Sequence, residues 1–171
     1  NISQKAMGIK IMANDILLQE SVDLVQNRLG KRLNDLTVER TVFGLFFSGV
    51  KLSTGHGGLC FTPVKEIPEA VCCPSSAAAM PLSGKLAQRP VSEYLNDIFS
   101  TNILKKTLGI ATLNALSTLI WELEPPTEYA VELGVDAFDE LDVTKYPKSV
   151  VIGALVPILK KLIAANCDFH V

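Results

Sequence analysis

The residue types that could do chemistry in this chain of 171 residues are concentrated in one glycine-rich segment. It consists of Thr54, Gly55, His56, Gly57 and Gly58. Imidazole is a common metal ligand and general base, and glycines let a ligand approach backbone N–H groups that can bind an anion. Two interpretations are open: a solvent-facing histidine in a hairpin loop, or the lip of a ligand site. We expect the glycines to shape such a site more than His56 acts in catalysis.

Two residues elsewhere in the chain are candidates for the same ligand site. Asn114 interrupts an apolar helical pattern, where a side-chain amide needs hydrogen-bond partners. It either bonds a neighbouring loop or contacts a ligand. Gly153 follows a short apolar run, at the carboxyl end of a strand, where α/β folds bind ligands. The residues after Gly153 do not match Gly-x-Gly-x-x-Gly, so no dinucleotide site is predicted.

The soft and borderline metal ligands of the sequence lack the local spacing of a structural zinc site. They are His56, Cys60, Cys72, Cys73, Cys167 and His170. We expect Cys60 and Cys167 to be small buried hydrophobic residues, because both lie in apolar stretches of the sequence. If a transition metal binds, His56 and Cys60 are its candidate ligands. The roles of Cys72 and Cys73 stay open, and no nucleophile elbow or P-loop indicates a reaction.

Composition excludes several classes of partner. The chain has 16 basic and 18 acidic residues, a net charge of −2 and no long run of like charge, so neither nucleic acid nor an anionic membrane is expected to bind. Its apolar runs are shorter than the roughly 18–20 residues that span a bilayer. Four cysteines are too sparse for a disulfide framework. We therefore expect a soluble, cytoplasmic protein.

Periodicity predicts helices and strands that would position these residues. An amphipathic helix is predicted over 14–33, strands over 36–40 and 42–52, a glycine-rich connection and another strand over 59–62, a loop over 63–84, and helices over 91–99 and 102–123. The last helix has few charges, so it should be buried on most sides. Pro125 and Pro126 end it because neither can donate a backbone hydrogen bond.

The end of the chain has a different pattern. Residues 129–146 are acidic and mixed, which is typical of a linker. A strand over 149–153, a helix over 157–166 and a strand over 168–171 then predict a β-α-β unit with parallel strands. Two strands and one helix cannot bury both faces of a parallel sheet. We expect the natural chain to continue, or another chain to complete this unit.

Three blocks of sequence together resemble a known family. They are residues 42–50 leading into 55–60, residues 108–115 with the pattern Gly-x-Ala-x-x-Asn-Ala, and residues 150–153 with Pro157. They are similar to the uncharacterised "putative heavy-metal chelation" proteins over nearly the whole chain. The resemblance implies an α+β, enolase N-terminal-like domain over 1–145 (a β-hairpin or small sheet plus helices). It implies the first β-α-β of a Rossmann-like α/β domain over 146–171. Cys60 departs from the family, where a small residue such as alanine is expected.

The resemblance also implies a function. The leading hypothesis is binding of a small molecule or a heavy-metal chelate, with a transition metal as cofactor, in a cleft between the two domains. The ligand would contact residues 54–58, Asn114 and Gly153. The alternative is a non-catalytic structural or oligomerisation domain. Phe43, Phe46 and Phe47 lie in a segment that is apolar on both strand faces, which predicts a partner on each side and hence a homo-oligomer.

Overall fold

The structure, a computed structural model, describes residues 13–66, 81–82, 84–130, 132 and 134–171, with side chains from residue 16 onward. The chain divides into two compact units, Asn1–Pro125 and Pro126–Val171. The expected domain boundary lay after residue 145. The stretch expected to be a linker instead contributes Phe138 and Val143 to the core of the second unit. Cys72, Cys73 and most of the expected loop over 63–84 lie outside the described residues.

The first unit contains a three-stranded antiparallel sheet in the order β1 (Val38–Phe43), β2 (Phe47–Leu52) and β3 (Gly57–Phe61). The single strand predicted over 42–52 is wrong, because a tight turn divides it. In that turn the Gly44 N–H donates to the Phe47 carbonyl at 3.0 Å. A Cβ on Gly44 would overlap that same oxygen. A glycine at this position therefore permits the turn, and the expected hairpin is a three-stranded meander.

Helices cover one face of this sheet. They are α1 (Ala13–Leu29), which continues as a 3-10 helix over Gly30–Asp35, α2 (Val91–Asp97) and α3 (Ile103–Leu123). The Asn102 side chain caps α3 by accepting the Lys105 N–H at 3.0 Å. As expected, α3 is buried on most sides: it packs on β2, β3, α1 and α2. None of the described helices is both long and apolar enough to cross a bilayer.

Two glycines set how closely the elements around α3 approach one another. A Cβ on Gly58 would overlap the Ala111 carbonyl oxygen and the Ala115 nitrogen. A Cβ on Gly109 would lie 2.7 Å from the Tyr94 carbonyl oxygen. Ala111 and Ala115 are fully buried. The Gly-x-Ala-x-x-Asn-Ala block is thus a packing surface, on which small residues let backbones pack closely.

The second unit has its own small core. It comprises α4 (Ala137–Glu140), β4 (Ser149–Val150), α5 (Val156–Ala164) and β5 (Phe169–His170). The two strands pair in parallel, which confirms the predicted strand-helix-strand order. Each strand is only two residues long, shorter than predicted. The buried core residues of the second unit are Val143, Val151, Ile158 and Leu162. That this unit begins a Rossmann-like domain stays a prediction.

Candidate functional site

The glycine-rich segment forms a closed turn between β2 and β3. The Leu52 N–H donates to the His56 carbonyl at 2.8 Å, and the Gly55 N–H donates to the Leu52 carbonyl at 2.9 Å. Gly55 has a φ of +91°, a conformation that favours glycine. The Gly55 amide, one of the candidate donors to an anion, is therefore already paired.

The His56 ring is held on both sides. Its Nδ1 lies 2.9 Å from Thr54 Oγ1 and its Nε2 lies 2.7 Å from Glu122 Oε2. The histidine side chain is only 12% exposed, whereas Glu122 is 72% exposed. A carboxylate only accepts hydrogen bonds, so a neutral ring donates from Nε2 and accepts the Thr54 hydroxyl at Nδ1. The interpretation of His56 as a solvent-facing loop residue is wrong.

Glu122 was not among the residues expected from the sequence. It lies 66 residues from His56 along the chain, near the end of α3. One signal could have identified it. Glu122 is the only acidic residue of α3, and it occupies the last turn, where the helix dipole disfavours a negative charge. The imidazole of His56, 2.7 Å away, offsets this unfavourable position.

Asn114 bonds a neighbouring strand. Its Nδ2 donates to the Leu59 carbonyl at 2.8 Å, although the residue is exposed. Asn114 lies eight residues before Glu122, or about 12 Å along the helix axis. The structure therefore ties α3 to β3 through Asn114 and to the turn before β3 through Glu122. It does not bring Asn114 to the His56 ring.

Removal of the Asn114 amide tests which of its two interpretations holds. Asn114→Ala is expected to lower the free energy of unfolding by about 1 kcal/mol, because a hydrogen bond between helix and strand is lost. Asn114→Asp should cost more, since a carboxylate would face the Leu59 carbonyl oxygen. Urea denaturation measures both, with the exposed Thr118→Ala on the same helix as control. Unchanged stability in Asn114→Ala would contradict the structural role.

The glycines among the expected site residues differ in their surroundings. Gly57 is exposed at the start of β3, and Gly58 is buried against α3. Gly153 belongs to the second unit, where it lies exposed in the loop between β4 and α5 with a φ of +95°. Of the expected residues in the first unit, Thr54 and His56 contact each other through their side chains.

Cys60 and His56 do not form a joint donor set. They lie at opposite ends of β3, about 13 Å apart at the strand rise of 3.3 Å per residue. Cys60 is partly buried against the core, and burial raises the pKa of its thiol. Since metals bind the thiolate, this disfavours Cys60 as a ligand. Within the parts of the chain that the structure describes, no three His, Cys, Asp or Glu residues cluster to hold a metal.

Two solved structures share this fold. One is a protein of unknown function of the DUF364 family from Pyrococcus horikoshii, with a TM-score of 0.55 at 18% identity, covering 90% of this chain and 55% of that one. The other is a DUF364 protein of unknown function from Desulfitobacterium hafniense, with a TM-score of 0.50 at 18% identity, covering 89% of this chain and 57% of that one. The chain thus spans just over half the length of these structures.

Comparison of sequences gives the family. No protein with curated annotation matches the chain. A family model described as "putative heavy-metal chelation" matches residues 26–117, which include the sheet, the His56 turn and most of α3. The match covers more than half of the chain and includes the first two of the three blocks that carry the resemblance, while the block at 150–157 lies outside it. The chain belongs to the "putative heavy-metal chelation" family, DUF4213.

Proposed function

We propose that this protein binds a divalent transition-metal ion, free or carried by a small-molecule chelator, through His56 and Glu122. The observation that carries the proposal is the 2.7 Å approach of the imidazole Nε2 to the Glu122 carboxylate, in a ring held by Thr54. One imidazole and one carboxylate suit borderline ions such as Zn²⁺, Ni²⁺ and Cu²⁺. The description of the family names the same class of ligand.

The geometry of the pair is compatible with a bound ion. Two ligand atoms on one tetrahedral zinc ion lie about 3.3 Å apart at ordinary bond lengths. The His56 and Glu122 atoms would have to separate by only about 0.6 Å from their hydrogen-bonded distance, by the same estimate. The carboxylate can move by this amount because the Glu122 side chain is 72% exposed.

Thr54 supports the same arrangement. An ion at Nε2 would displace the proton there, and the ring would then carry its proton on Nδ1. The Thr54 hydroxyl can accept that N–H, because a hydroxyl both donates and accepts. Metal-binding histidines commonly donate their second ring N–H to such a partner, which fixes the orientation of the ring.

Two protein ligands make an open site. No third ligand from the described residues completes it, so water or the donor atoms of a chelating small molecule would fill the remaining positions. Such a site suits capture of an ion or of a metal chelate rather than a closed structural centre. That Asn114 and Gly153 also contact the ligand, as the family resemblance implies, stays a prediction.

The test is a titration with Ni²⁺, followed by the fluorescence of Trp121. This tryptophan is the only one in the sequence and precedes Glu122 in α3, so an ion at the proposed site lies close enough to quench it. We expect saturable quenching of the wild-type chain. His56→Ala and Glu122→Gln should each weaken binding by about tenfold or more, because each removes a ligand.

Two matched variants serve as controls. His170→Ala removes the other histidine of the chain, and Glu124→Gln removes a neighbouring carboxylate that pairs with Arg28. Both should bind Ni²⁺ as the wild type does. The proposal is overturned if His56→Ala binds with unchanged affinity, or if His170→Ala abolishes binding.

A further inference from the structure

The sheet of the first unit has a second face, opposite α3. We call it the outer face and define it by Arg40, Val42, Phe47, Gly49, Lys51, Gly57, Leu59 and Phe61. Side chains alternate along each strand: Ser48, Val50 and Leu52 of β2 are buried, while Phe47 and Lys51 are exposed. Half of the residues of the outer face are large and apolar or aromatic.

The apolar side chains of this face are open to solvent. Val42 is 55% exposed, Phe47 59%, Leu59 62% and Phe61 61%. Leu45 and Phe46, in the turn between β1 and β2, are equally exposed and extend the patch. Together these six side chains present about 600 Å² of apolar surface, taking about 200 Å² for each aromatic residue. A soluble monomer seldom exposes a larger patch, and such patches commonly mark interfaces.

The outer face has two chemically different ends. At one end Arg40 lies directly across from Lys51 in the strand register. At the other end Phe47 and Phe61 form an edge-to-face pair with ring centroids 6.5 Å apart. Gly49 lies in the middle, paired with Val42 on one side and Leu59 on the other. Gly49 has no side chain, and the Leu59 side chain leans over it: a Cβ on Gly49 would lie 3.1 Å from Leu59 Cδ2.

The charges at the basic end are not equivalent. Lys51 is paired with Glu39 at 2.8 Å. No described carboxylate forms a salt bridge with Arg40, which is exposed. A guanidinium group stacks well on an aromatic ring, and the contact is stronger where water is excluded. The face therefore carries both halves of a cation–π contact, too far apart to meet within one chain.

We propose that a second copy of this chain covers the outer face, in a dimer whose two-fold axis passes near Gly49. In such a dimer the strands of the two sheets run in opposite directions, apart from the twist of about 30° between packed sheets. Arg40 of each copy then lies near Phe47 of the other, at the aromatic end of the face. Leu59 and Val42 of the two copies meet around Gly49.

Charge selects this orientation over the alternative. Packing like ends together would bring the two Arg40 side chains close in a desolvated interface, where like charges repel strongly. The two-fold axis near Gly49 separates them and gives each a ring. It also makes the interface self-complementary, which a closed dimer requires.

The available area sets the strength of the dimer. A standard interface buries about 800 Å² per partner, and the apolar patch of about 600 Å² with its polar rim approaches that value. We therefore expect a reversible dimer with a dissociation constant in the micromolar range, on the ordinary scale for small interfaces. This inference does not depend on the proposed metal site.

Sedimentation velocity over a range of protein concentrations tests the dimer. The wild-type chain should pass from monomer to dimer as concentration rises. Leu59→Glu should raise the dissociation constant by at least about tenfold, since it places a carboxylate at the centre of both copies of the interface. Leu24→Glu is the matched control, because Leu24 lies on α1 and is 56% exposed. It should leave the dissociation constant unchanged.

A second variant keeps the test valid if Leu59→Glu does not fold. Val42→Lys changes a neighbouring position of the outer face, and circular dichroism shows whether each variant is folded. His56→Ala should still dimerise, which separates this test from that of metal binding. The proposal is wrong if the wild-type chain stays monomeric throughout, or if folded Leu59→Glu and Val42→Lys dimerise as the wild type does.

Discussion

Gly58→Ala is expected to lower the free energy of unfolding of the first unit by about 3 kcal/mol, near the upper end of the range for overpacked cores. The new Cβ would overlap the Ala111 carbonyl oxygen and the Ala115 nitrogen, both of which are backbone atoms of α3. Backbone atoms inside a helix cannot rotate aside as the end of a side chain can. Either β3 or α3 must move, and the packing between them is lost.

The neighbouring glycine provides the control for this prediction. A Cβ on Gly57 would have the Val50 carbonyl oxygen, at 3.8 Å, as its nearest neighbour. Gly57→Ala should therefore change the stability by no more than about 0.5 kcal/mol, as for ordinary surface substitutions. Urea denaturation followed by circular dichroism compares the two variants. Equal stabilities would show that β3 does not pack on α3 as closely as described.

Gly58→Ala should also affect ligand binding. His56 immediately precedes β3, and Glu122 is on α3, so displacing the strand from the helix separates the two side chains. We expect Ni²⁺ binding to weaken in Gly58→Ala and to persist in Gly57→Ala, measured by the fluorescence of Trp121. Unchanged binding in a destabilised Gly58→Ala variant would indicate that the ion is bound elsewhere.

Gly109→Ala is expected to cost about 2 kcal/mol of stability. Its Cβ would lie 2.7 Å from the Tyr94 carbonyl oxygen and 2.8 Å from the Ile98 nitrogen, at the contact between α2 and α3. Alanine favours a helix over glycine by about 1 kcal/mol, and this gain offsets part of a clash that alone would cost about 3 kcal/mol. Urea denaturation measures the net effect.

Thr118→Ala on the same helix is the control for Gly109→Ala. Thr118 is exposed, and its hydroxyl bonds only the backbone carbonyl of Asn114 within α3. Alanine there should be neutral or slightly stabilising, because it raises helix propensity without a clash. A stabilised Gly109→Ala variant would mean that α2 lies farther from α3 than the structure shows.

The position of Gly109 changes the interpretation of the Gly-x-Ala-x-x-Asn-Ala block. The Gly-x-Ala-x-x-Asn-Ala block is one of the three blocks that carry the resemblance, and Asn114 is its one residue expected to contact a ligand. In the structure Gly109 and Ala115 serve the packing of α3 against α2 and β3. Asn114 ties the same helix to the Leu59 carbonyl. Gly109 and Ala115 of this block thus set a close approach of backbones.

Local patterns in the sequence were sufficient to predict α1, α2, α3 and α5, but not α4. The apolar periodicity of α3, the Asn102 cap and the proline pair after it predicted that helix almost to the residue. The short apolar run before Gly153 predicted the parallel strand-helix-strand unit at the end of the chain. These signals act over a few neighbouring residues, through backbone hydrogen bonds and the periodicity of side chains. A sequence can therefore reveal them without the rest of the fold.

The tertiary structure alone decided which residues form the candidate site. Glu122 meets His56 across 66 residues because Gly58 lets β3 lie directly on α3, and no local pattern encodes that contact. Because β3 is extended, Cys60 lies at the far end of the strand from His56. These two candidate ligands are therefore far apart, although they are only four residues apart in the sequence. The physical reason is general. A strand carries residues apart at 3.3 Å per position, while packing brings distant segments together, so the members of a site depend on how the elements pack.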